Sequence, residues 1–576
     1  MQGIKMKNSF PLCLETASFI LVLLVHVLCL VYLQDFLFFG EYGLRLAHVI
    51  LSAMPVICSY LVLRLFLPSL VTAVFISGTV IILSVIHFTK YSLTKEALSW
   101  SDLTAIDNFS IITGYLKCWH IFIIVAIMLS AVLCFLLTKS IDKHKFNLTT
   151  HVGLLLIPIP FTFYSYFDDG NYRIERLLDT VKAKYGINYI AWDWNENVKD
   201  NGLLMHLVHT SKRKLPDSSS VENRLEFNKL LAYERGEKAR PKQIIFISGE
   251  AFWFDENNFK ALFQPLNKLG FKNFRSVSPV YGGGTVNASF EVLTGLPSVT
   301  NALQGIIYQE YAELMTDRPH TLPQYLKSHG YSTVFIHNHN RKFWKRHLIV
   351  PKFGFDTFIS IEDMKVKNKR GFADDAILYN SALNQIKSKK GEKLFLYLVT
   401  VYSHGPYREK HDFGERDYKK RLSLSVQRFA KFIKKVRKIS PDALIVLYGD
   451  HKPSLNKYFY EKNVIPKDQF YPQSDKQDNP RLITDHSREL VGDVPVFIKY
   501  RDDAKIDGII SEANGLPLYC MVQRIDEELL SSGVPAFAFS RKHVCSQYKE
   551  KGYSASSDAY PDWLYSLSLF EPDTNR

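Results

Sequence analysis

Apolar residues crowd into about the first 170 positions of this 576-residue chain, and charged residues crowd into the remainder. Four apolar stretches supply the roughly 20 residues that a membrane-spanning helix needs, and a fifth is shorter and contains two prolines. The alternative for that fifth stretch is a buried or interfacial segment. The pattern predicts a five-helix transmembrane domain over residues 1–167, with its spans at Phe10–Leu33, Leu46–Leu67, Leu70–Phe88, Trp119–Thr138 and Val152–Phe167.

Lysine placement predicts how these spans are oriented. Lys5 and Lys7 precede the first span, and three lysines (Lys139, Lys143 and Lys145) follow the fourth. Because positive charge favours the cytoplasmic side, the N-terminus is expected inside, although Arg45 is a mild counter-signal. Five spans then place everything after about residue 168 outside. The aromatic and charged segment 89–117 would lie outside too, on the membrane surface.

The outer part of the chain alternates between strand-like and helix-like segments. Short apolar, β-branched runs suit strands that are buried on both faces of a parallel sheet, and they occur at Gln243–Ser248, Ser332–His337, Leu394–Thr400, Ala443–Tyr448 and Val494–Lys499. Candidate helices between them are Leu322–Ser328, Ala376–Lys387 and Leu424–Ile439. This alternation predicts an α/β domain with a largely parallel central sheet over residues 241–576. Residues 168–240 are expected to be a linker with leading helices.

Charge and cysteine counts narrow the class of protein. The chain has 71 Lys and Arg against 57 Asp and Glu, a net charge of +14. No zinc-finger or aromatic-interleaved basic pattern accompanies this excess, so we expect no nucleic-acid partner and favour anionic lipid headgroups, with a solvated surface as the alternative. Of seven cysteines only Cys520 and Cys545 lie in the outer domain, where an oxidising compartment would permit one disulfide; spacing alone does not establish that pair.

Polar side chains follow four of the predicted strands at the point where each strand ends. Because the carboxyl ends of parallel strands meet at one edge of the sheet, this is where an active site is expected in such folds. The residues that follow are, in chain order, Glu250, then His337 and His339, then His404, then Asp450 and His451.

A glycine-rich loop between the first two strands adds a hydroxyl group. Gly282–Gly284 lead into Thr285 and a predicted helix over Val286–Leu293, an arrangement that suits the close approach of a phosphate. A helix cap is the alternative role for Thr285. Two carboxylates and an imidazole, from Glu250, Asp450 and His451, leave one ligand position for the threonine oxygen. Such an O, O, N and hydroxyl set suits Zn²⁺ or Mn²⁺ better than Ca²⁺.

Together these motifs resemble those of a known enzyme family. The segments SGEAFW, GGGTVNASFEVLTGLP, HNHNRKFWKR, SHGPY and YGDHKPSL are similar to the sulfatase-like branch of the alkaline phosphatase superfamily. More closely, they resemble the lipoteichoic acid synthase and phosphoglycerol transferase group. That resemblance implies five membrane helices followed by an extracytoplasmic catalytic domain, in a multi-pass protein of the bacterial inner membrane.

The resemblance also implies roles for individual residues. Glu250, Thr285, Asp450 and His451 would hold one divalent metal ion, Mn²⁺ or Zn²⁺, with Thr285 as the nucleophile that becomes covalently modified. The substrate-binding residues would be His337, Trp344, Arg346 and His404, the last in contact with the substrate phosphate. The alternatives are a core position for Trp344 and a surface charge for Arg346. His339 and His486 have no assigned role.

The implied reaction is transfer of phosphoglycerol from phosphatidylglycerol, through a phospho-threonine intermediate, to a glycan or lipid acceptor of the cell envelope. One alternative is a phosphoethanolamine transferase that acts on lipopolysaccharide; those enzymes usually carry several disulfides, whereas at most one can form here. A sulfatase is disfavoured because formylglycine derives from Cys or Ser, not from Thr285. From a different class, the chain could be a membrane-anchored binding protein with a retired catalytic fold, although all four metal positions are filled.

Overall fold

The chain forms two compact units, Met1–Arg213 and Lys214–Arg576. A computed structural model describes, by number, residues 3–30, 46–94, 97–104, 129, 136, 153–156, 158–163, 194–211, 215–216, 220–232, 240–300, 302–303, 305–364, 372–408, 412–470, 480 and 488–571. The domain boundaries expected from the sequence, at residues 167 and 240, stay a prediction.

The first unit is helical throughout its described part. Its helices are α1 (Gly3–Leu28), α2 (Leu46–Leu63), α3 (Ser69–Thr94), α4 (Trp100–Thr104), α5 (Pro158–Thr162), α6 (Trp194–Asn201) and α7 (Leu203–Ser211). By length and composition, one described segment, Ser69–Phe88, could cross a membrane, and half of it is buried within the unit. The predicted span Trp119–Thr138 lies outside the described residues apart from Leu129 and Leu136. The count of five spans therefore stays a prediction.

An ion pair joins the first two helices of this unit. Arg64 Nε donates to Glu15 Oε2 at 2.8 Å, and the Tyr60 hydroxyl donates to Glu15 Oε1 at 3.2 Å. Apolar side chains such as Val22 and Ile76 pack nearby in a small buried cluster. Charges in an apolar helical unit are costly unless they are paired, and this pairing accounts for a glutamate within the first predicted span.

The second unit is built on an eight-stranded sheet in the order β4-β3-β5-β1-β6-β7-β2-β8. Its strands are β1 (Gln243–Gly249), β2 (Lys272–Val277), β3 (Ser332–His337), β4 (Thr357–Ile359), β5 (Leu394–Val399), β6 (Leu444–Gly449), β7 (Asp493–Lys499) and β8 (Leu516–Pro517). Every pairing is parallel except those that β7 makes with β6 and β2. The prediction of a largely parallel α/β sheet is confirmed.

Two hydrophobic clusters cover the two faces of this sheet. Along β1, Ile244 and Phe246 point into one cluster, and Ile245 and Ile247 point into the other. Alternate side chains of a strand face opposite sides, so a strand buried on both sides must be apolar at every position. A strand buried on both faces has this apolar pattern in either direction, so the pattern does not distinguish parallel from antiparallel pairing. The expectation that the run Val494–Lys499 is parallel was wrong.

Helices flank the sheet on both faces. They are α8 (Val221–Leu231), α9 (Gln264–Lys268), α10 (Thr285–Thr294), α11 (Ile307–Tyr311), α12 (Leu322–Ser328), α13 (Arg346–Lys352), α14 (Asp375–Ser388), α15 (Glu415–Ile439), α16 (Asn456–Glu461), α17 (Arg488–Gly492), α18 (Asp503–Ala513), α19 (Leu518–Ile525), α20 (Pro535–His543), α21 (Tyr548–Ser557) and α22 (Asp562–Tyr565). The predicted helix Leu322–Ser328 is confirmed. The predicted helix Leu424–Ile439 begins nine residues earlier, at Glu415, after a left-handed Gly414.

One disulfide lies within the second unit. It joins Cys520 on α19 to Cys545, with their Cα atoms 5.6 Å apart. Both cysteines are buried in the larger hydrophobic cluster. The pairing that the sequence left open is therefore formed.

Candidate active site

Two carboxylates and one imidazole meet where β1 and β6 end. Glu250 follows β1, and Asp450 and His451 follow β6, the neighbouring parallel strand. His451 Nε2 lies 3.5 Å from Glu250 Oε1 and 3.5 Å from Asp450 Oδ2. All three residues are buried, and one ligand atom from each lies within 4.8 Å of the others. We call these residues the metal-ligand trio.

A pair of glycines allows this approach. Gly249 and Gly449 lie side by side in the last register position of β1 and β6. A Cβ atom on Gly449 would lie 2.2 Å from the carbonyl oxygen of Phe252, and one on Gly249 would lie 2.7 Å from the Phe252 ring. Any larger residue would therefore force the chain that carries Glu250 away from β6.

The hydrogen bonds of the trio leave its inner atoms without partners. Asp450 Oδ1 accepts from the backbone N–H groups of Ala251 (2.7 Å) and His451 (2.8 Å), while Oδ2 is buried and has no partner among the described residues. His451 Nδ1 lies 2.8 Å from the Lys452 carbonyl and must donate to it, which leaves a lone pair on Nε2. That nitrogen is likewise buried and without a partner in the described part of the chain.

These atoms fit a divalent cation. Two carboxylate oxygens and an imidazole lone pair converge in a buried space, where they repel one another unless a positive charge lies between them. Burial, and then the charge of Asp450, raise the pKa of Glu250 to about 8. Mixed oxygen and nitrogen ligands of this kind are typical of Zn²⁺ and Mn²⁺. A divalent ion would be held by Glu250, Asp450 and His451, with Thr285 beside them.

Thr285 is the first residue of α10, and its side chain faces the trio. Its hydroxyl donates to Glu250 Oε2 at 3.2 Å. The cap position belongs instead to Gly284, which has a φ of 85°, and no side chain caps the helix. The alternative role of Thr285 as a helix cap is therefore wrong. The free N–H groups and positive dipole end of the first helical turn lie beside this hydroxyl.

A second group of predicted residues lies at the same edge of the sheet; we call His337, Trp344, Arg346 and His404 the substrate-binding group. His337 ends β3 and is buried, with Nδ1 2.8 Å from the Val399 carbonyl of the neighbouring strand. Burial, and then the nearby charge of Arg346, lower the pKa of His337 well below its usual value. The ring is therefore neutral, and Nε2 is free to accept a hydrogen bond.

Two strained residues present the arginine. Trp344 and Lys345 have φ values of 53° and 49°, a left-handed conformation that costs about 1 to 3 kcal/mol for each non-glycine residue. Lys345 is held by its Nζ atom, which donates to the Gln309 carbonyl at 3.1 Å and pairs with Glu313 at 2.8 Å. This contact offsets part of the strain and fixes the start of α13 at Arg346.

Arg346 is 2% exposed, so the alternative of a surface charge is wrong. Its guanidinium lies 5.2 Å from the centre of the Trp344 ring, a cation–π contact. Burial lowers the pKa of Arg346 to about 10, against the opposing influence of Tyr308 and Glu250. Trp344 itself is buried in the larger hydrophobic cluster. It both packs in the core and contacts the arginine.

His404 lies beyond the end of β5. Its Nδ1 is 2.5 Å from the Gly405 carbonyl, and its own carbonyl accepts from Arg421 Nη1. The Phe372 ring packs against the imidazole, with centroids 4.6 Å apart. The charge of His404 also contributes to the low pKa of His337.

The site also contains residues for which no role was predicted from the sequence. His339 lies 5.7 Å from His337 and 4.9 Å from Phe343, between ring centroids. Burial, and then Arg346, lower the pKa of His339 to about 4. Arg421 and Phe343 also border the substrate-binding group, and no pattern in the sequence distinguishes them from other residues of their type. His486 lies outside the described residues.

Comparison with known proteins places this site in a family. Residues 242–482, which contain all eight site residues, match the family model named Sulfatase. A Rhizobium meliloti protein whose name refers to cyclic β-1,2-glucan modification is 26% identical over 363 residues, covering 56% of this chain and 55% of that protein. Lipoteichoic acid synthase 2 of Bacillus subtilis is 25% identical over 364 residues, covering 57% of this chain and 50% of that protein.

The chain thus spans about half the length of the curated relatives it matches. Among solved structures, the phosphoglycerol transferase GacH of Streptococcus pyogenes, in complex with sn-glycerol-1-phosphate, is similar with a TM-score of 0.39 and 17% identity. The match covers 57% of this chain and 94% of that one. Residues 242–482 therefore form a sulfatase-family domain, with lipoteichoic acid synthases among its relatives, as the motifs predicted.

Proposed function

We propose that the chain is a metal-dependent enzyme that transfers the headgroup of a membrane phospholipid to an acceptor of the bacterial cell envelope. The observation that carries this proposal is the Thr285 hydroxyl, 3.2 Å from Glu250 Oε2 and beside two buried atoms without partners, Asp450 Oδ2 and His451 Nε2. A hydroxyl beside a cation site and a buried arginine is the arrangement that phosphoryl transfer requires. Similarity to a relative named lipoteichoic acid synthase 2 supports this reaction class.

Thr285 acts as the nucleophile. Its Oγ1 atom attacks the phosphorus of the donor, the bond from phosphorus to the diacylglycerol oxygen breaks, and diacylglycerol leaves after taking up the hydroxyl proton. A bound Mn²⁺ or Zn²⁺ would lower the pKa of the Thr285 hydroxyl and offset the charge of the phosphoryl oxygens. An acceptor hydroxyl then attacks the phospho-threonine, and the proton of that hydroxyl returns to Thr285.

The substrate-binding group holds the donor during both steps. The Arg346 guanidinium, held against Trp344, presents a fixed positive charge to the non-bridging phosphate oxygens. His404 contacts the same phosphate through Nε2, the ring nitrogen that the Gly405 carbonyl does not occupy. The neutral His337 accepts a hydrogen bond through Nε2 from a hydroxyl of the headgroup.

We infer that the donor is phosphatidylglycerol and the acceptor an envelope glycan or lipid. The helical first unit would anchor the enzyme as a multi-pass protein of the inner membrane, with its catalytic unit on the extracytoplasmic side. The formed Cys520–Cys545 pair supports that oxidising side, because disulfides persist there. The lysines that precede the first predicted span and follow the fourth support the same orientation.

The mass of the adduct on Thr285 tests the proposal. The purified full-length protein is incubated without acceptor, either with phosphatidylglycerol vesicles or with phosphatidylethanolamine vesicles, and the Thr285 peptide is analysed by mass spectrometry. We expect a phosphoglycerol adduct that is absent from the Thr285→Ala variant. A phosphoethanolamine adduct would favour the rival transferase that acts on lipopolysaccharide. An unmodified Thr285 in both samples, together with full diacylglycerol release, would contradict the covalent step.

Metal analysis tests the remaining alternative, a retired membrane-anchored binding protein. We expect one equivalent of Mn²⁺ or Zn²⁺ in the purified enzyme, bound through the metal-ligand trio. A protein free of divalent ions that cannot be reloaded with either metal would favour the binding protein.

A further inference from the structure

A carboxylate outside the predicted site lies buried behind the substrate-binding group. Asp375, in the first turn of α14, is 0% exposed. Its Oδ1 atom accepts from Asn338 Nδ2 at 3.1 Å and from the backbone N–H groups of Val401 at 3.1 Å and Tyr402 at 3.2 Å. Its Oδ2 atom accepts from the Ser425 hydroxyl. All four donors are neutral, and no ion pair of Asp375 is found in the described part of the chain.

These donors belong to the segments that carry the predicted substrate contacts. Asn338 lies between His337 and His339, just after β3. Val401 and Tyr402 lie in the loop after β5 that leads to His404. The third segment is α15, which contributes Ser425 and also Arg421, whose guanidinium donates to the His404 carbonyl. One carboxylate therefore joins the loop after β3, which starts directly after His337, to the loop after β5, which leads to His404.

Nothing else described in the structure replaces these contacts. Without the carboxylate, two backbone N–H groups and the Asn338 amide would be buried without this acceptor, a costly arrangement that a shift of the loops would relieve. Asn338 Nδ2 has one further contact, with the Ala373 carbonyl at 3.2 Å, which precedes the same helix. Both hydrogen bonds of the Asn338 amide are therefore made to residues at the start of α14 or just before it.

We propose that Asp375 is a positioning residue, which fixes the loops after β3 and β5 so that His337 and His404 meet one phosphate-bearing headgroup together. It touches neither the predicted metal-ligand trio nor Thr285. The inference rests on the proposed function for what those two histidines bind. It requires an acceptor oxygen at residue 375 and no proton transfer.

Two variants of Asp375 separate positioning from acid–base chemistry. Asp375→Ala removes the acceptor, and we expect kcat/KM for headgroup release from phosphatidylglycerol vesicles to fall about 100-fold, the scale of a misplaced binding group. Asp375→Asn keeps an oxygen for Val401 and Tyr402, while the Ser425 hydroxyl can turn to accept from the new amide. We expect this variant to stay within about tenfold of the unmodified enzyme, because a positioning role needs only the acceptor.

The neighbouring Asp374 provides a matched control. Its side chain caps the same helix by accepting from the Ala376 N–H at 2.8 Å and pairs with Arg428 at 2.9 Å, but it contacts neither loop. Asp374→Ala therefore weakens α14 without removing a loop contact. We expect its kcat/KM to stay within about twofold of the unmodified enzyme, as for changes away from a binding site.

Hydrogen exchange and a double variant provide the decisive readouts on the full-length protein. In Asp375→Ala, peptides that cover residues 336–340 and 399–404 should exchange faster, and in Asp374→Ala they should not. In a His404→Ala background, the further loss from Asp375→Ala should shrink well below its single-variant value, because the contact it misplaces is already gone. If Asp375→Ala only destabilised the protein in general, it would lower kcat/KM by the same factor with and without His404→Ala.

Each outcome decides one question. The positioning role would be overturned if hydrogen exchange of the two loops were unchanged in Asp375→Ala. It would also be overturned if kcat/KM fell equally in Asp375→Ala and Asp374→Ala. Equal losses of kcat/KM in Asp375→Ala and Asp375→Asn would contradict it too, because the Asn variant keeps the acceptor oxygen. If the unmodified enzyme releases no headgroup from phosphatidylglycerol or phosphatidylethanolamine, the proposed function fails while the exchange result still decides the role of Asp375. Should Asp375→Ala not fold, Asn338→Ala removes the hydrogen bond that the loop after β3 makes to Asp375, and unchanged exchange of residues 336–340 would then refute the proposal.

Discussion

The metal-ligand trio and the substrate-binding group lie at one edge of the same sheet, but they are built differently. Glu250 and Asp450 directly follow paired strands, so the ladder between β1 and β6 sets their positions. Trp344 and Arg346 instead stand on a strained turn that is held through Lys345 and Glu313. The trio therefore depends on contacts within the sheet, and the turn that carries Trp344 and Arg346 depends on contacts outside it.

The two groups also differ in charge. Carboxylates crowd the first, where burial and Asp450 raise the pKa of Glu250 to about 8. The second contains the buried guanidinium of Arg346 and no carboxylate, and burial and Arg346 lower the pKa of His337 and of the neighbouring His339. Burying unbalanced charge costs free energy in both groups. A cation bound at the metal-ligand trio and a phosphate bound at the substrate-binding group would offset both costs. The predictions below test whether the two groups separate in this way.

The largest effect is expected when the Thr285 hydroxyl, the proposed nucleophile, is removed. Thr285→Ala should lower headgroup transfer about 10,000-fold or more, because the nucleophile is absent. Most of the bound metal should remain, since three of the four predicted ligands are intact. Measured activity and bound metal in the same preparation check both statements. Thr285→Ser should recover part of the activity, and an active Thr285→Ala would refute the proposed chemistry.

A change within the trio should affect metal and activity together. Asp450→Asn keeps an amide oxygen for the N–H groups of Ala251 and His451 but replaces the inner oxygen with a donor. We expect bound metal to be lost and activity to fall about 1,000-fold. Metal analysis after dialysis checks this, with Asp493→Asn, a partly buried aspartate that pairs with Arg275 at the start of β7, as a control away from the site. Full metal retention in Asp450→Asn would place the ion elsewhere.

A change within the substrate-binding group should leave the metal in place. Arg346→Lys keeps the charge but loses the planar guanidinium that lies over Trp344 and that, in the proposed function, would contact two phosphate oxygens at once. We expect kcat/KM to fall about 100-fold with unchanged metal content. Arg341→Lys, at a partly exposed arginine that pairs with Asp363 and lies over the Phe358 ring, is the matched control and should have no such effect. Loss of metal from Arg346→Lys would show that the two groups are not separate.

The smallest effect concerns stability and pH. His339 faces Arg346, His404 and Glu362, and its pKa of about 4 lies below the ordinary 6.5. The unfolded chain therefore binds the proton more readily between these values, so this group destabilises the fold as pH falls through that window. His339→Asn should reduce the loss of unfolding free energy between pH 7 and pH 5 by about 1 to 2 kcal/mol. Identical pH profiles of urea unfolding for the two proteins would contradict this.

The sequence predicted most where chemistry follows directly from a strand. Glu250, His337 and Asp450 could be identified because each stands at a strand end, and parallel strands bring their ends together. Trp344 and Arg346 came only through the family resemblance, since their turn depends on Lys345 and Glu313, which no local pattern connects. The direction of β7 was missed because a strand buried on both faces carries the same apolar pattern either way.

Asp375 could not be recognised at all from the chain alone. It stands beside Asp374 in the pair that starts α14, and both are ordinary residues for a first helical turn. Their difference lies in what they face: Asp374 pairs with Arg428 near the surface, and Asp375 meets four donors in the interior. Burial of this kind depends on the packing of α15, far away in sequence.

Gly249 and Gly449 bear on how relatives of this protein can be recognised. A sequence search that counts only the ligand residues would accept a chain with alanine at the second glycine, although a Cβ there would lie 2.2 Å from the Phe252 carbonyl oxygen. Such a chain would have every ligand and yet be unable to gather them around one ion. Relatives that have lost activity can therefore be recognised by substitutions at Gly249 and Gly449, as well as by substitutions of the ligand residues.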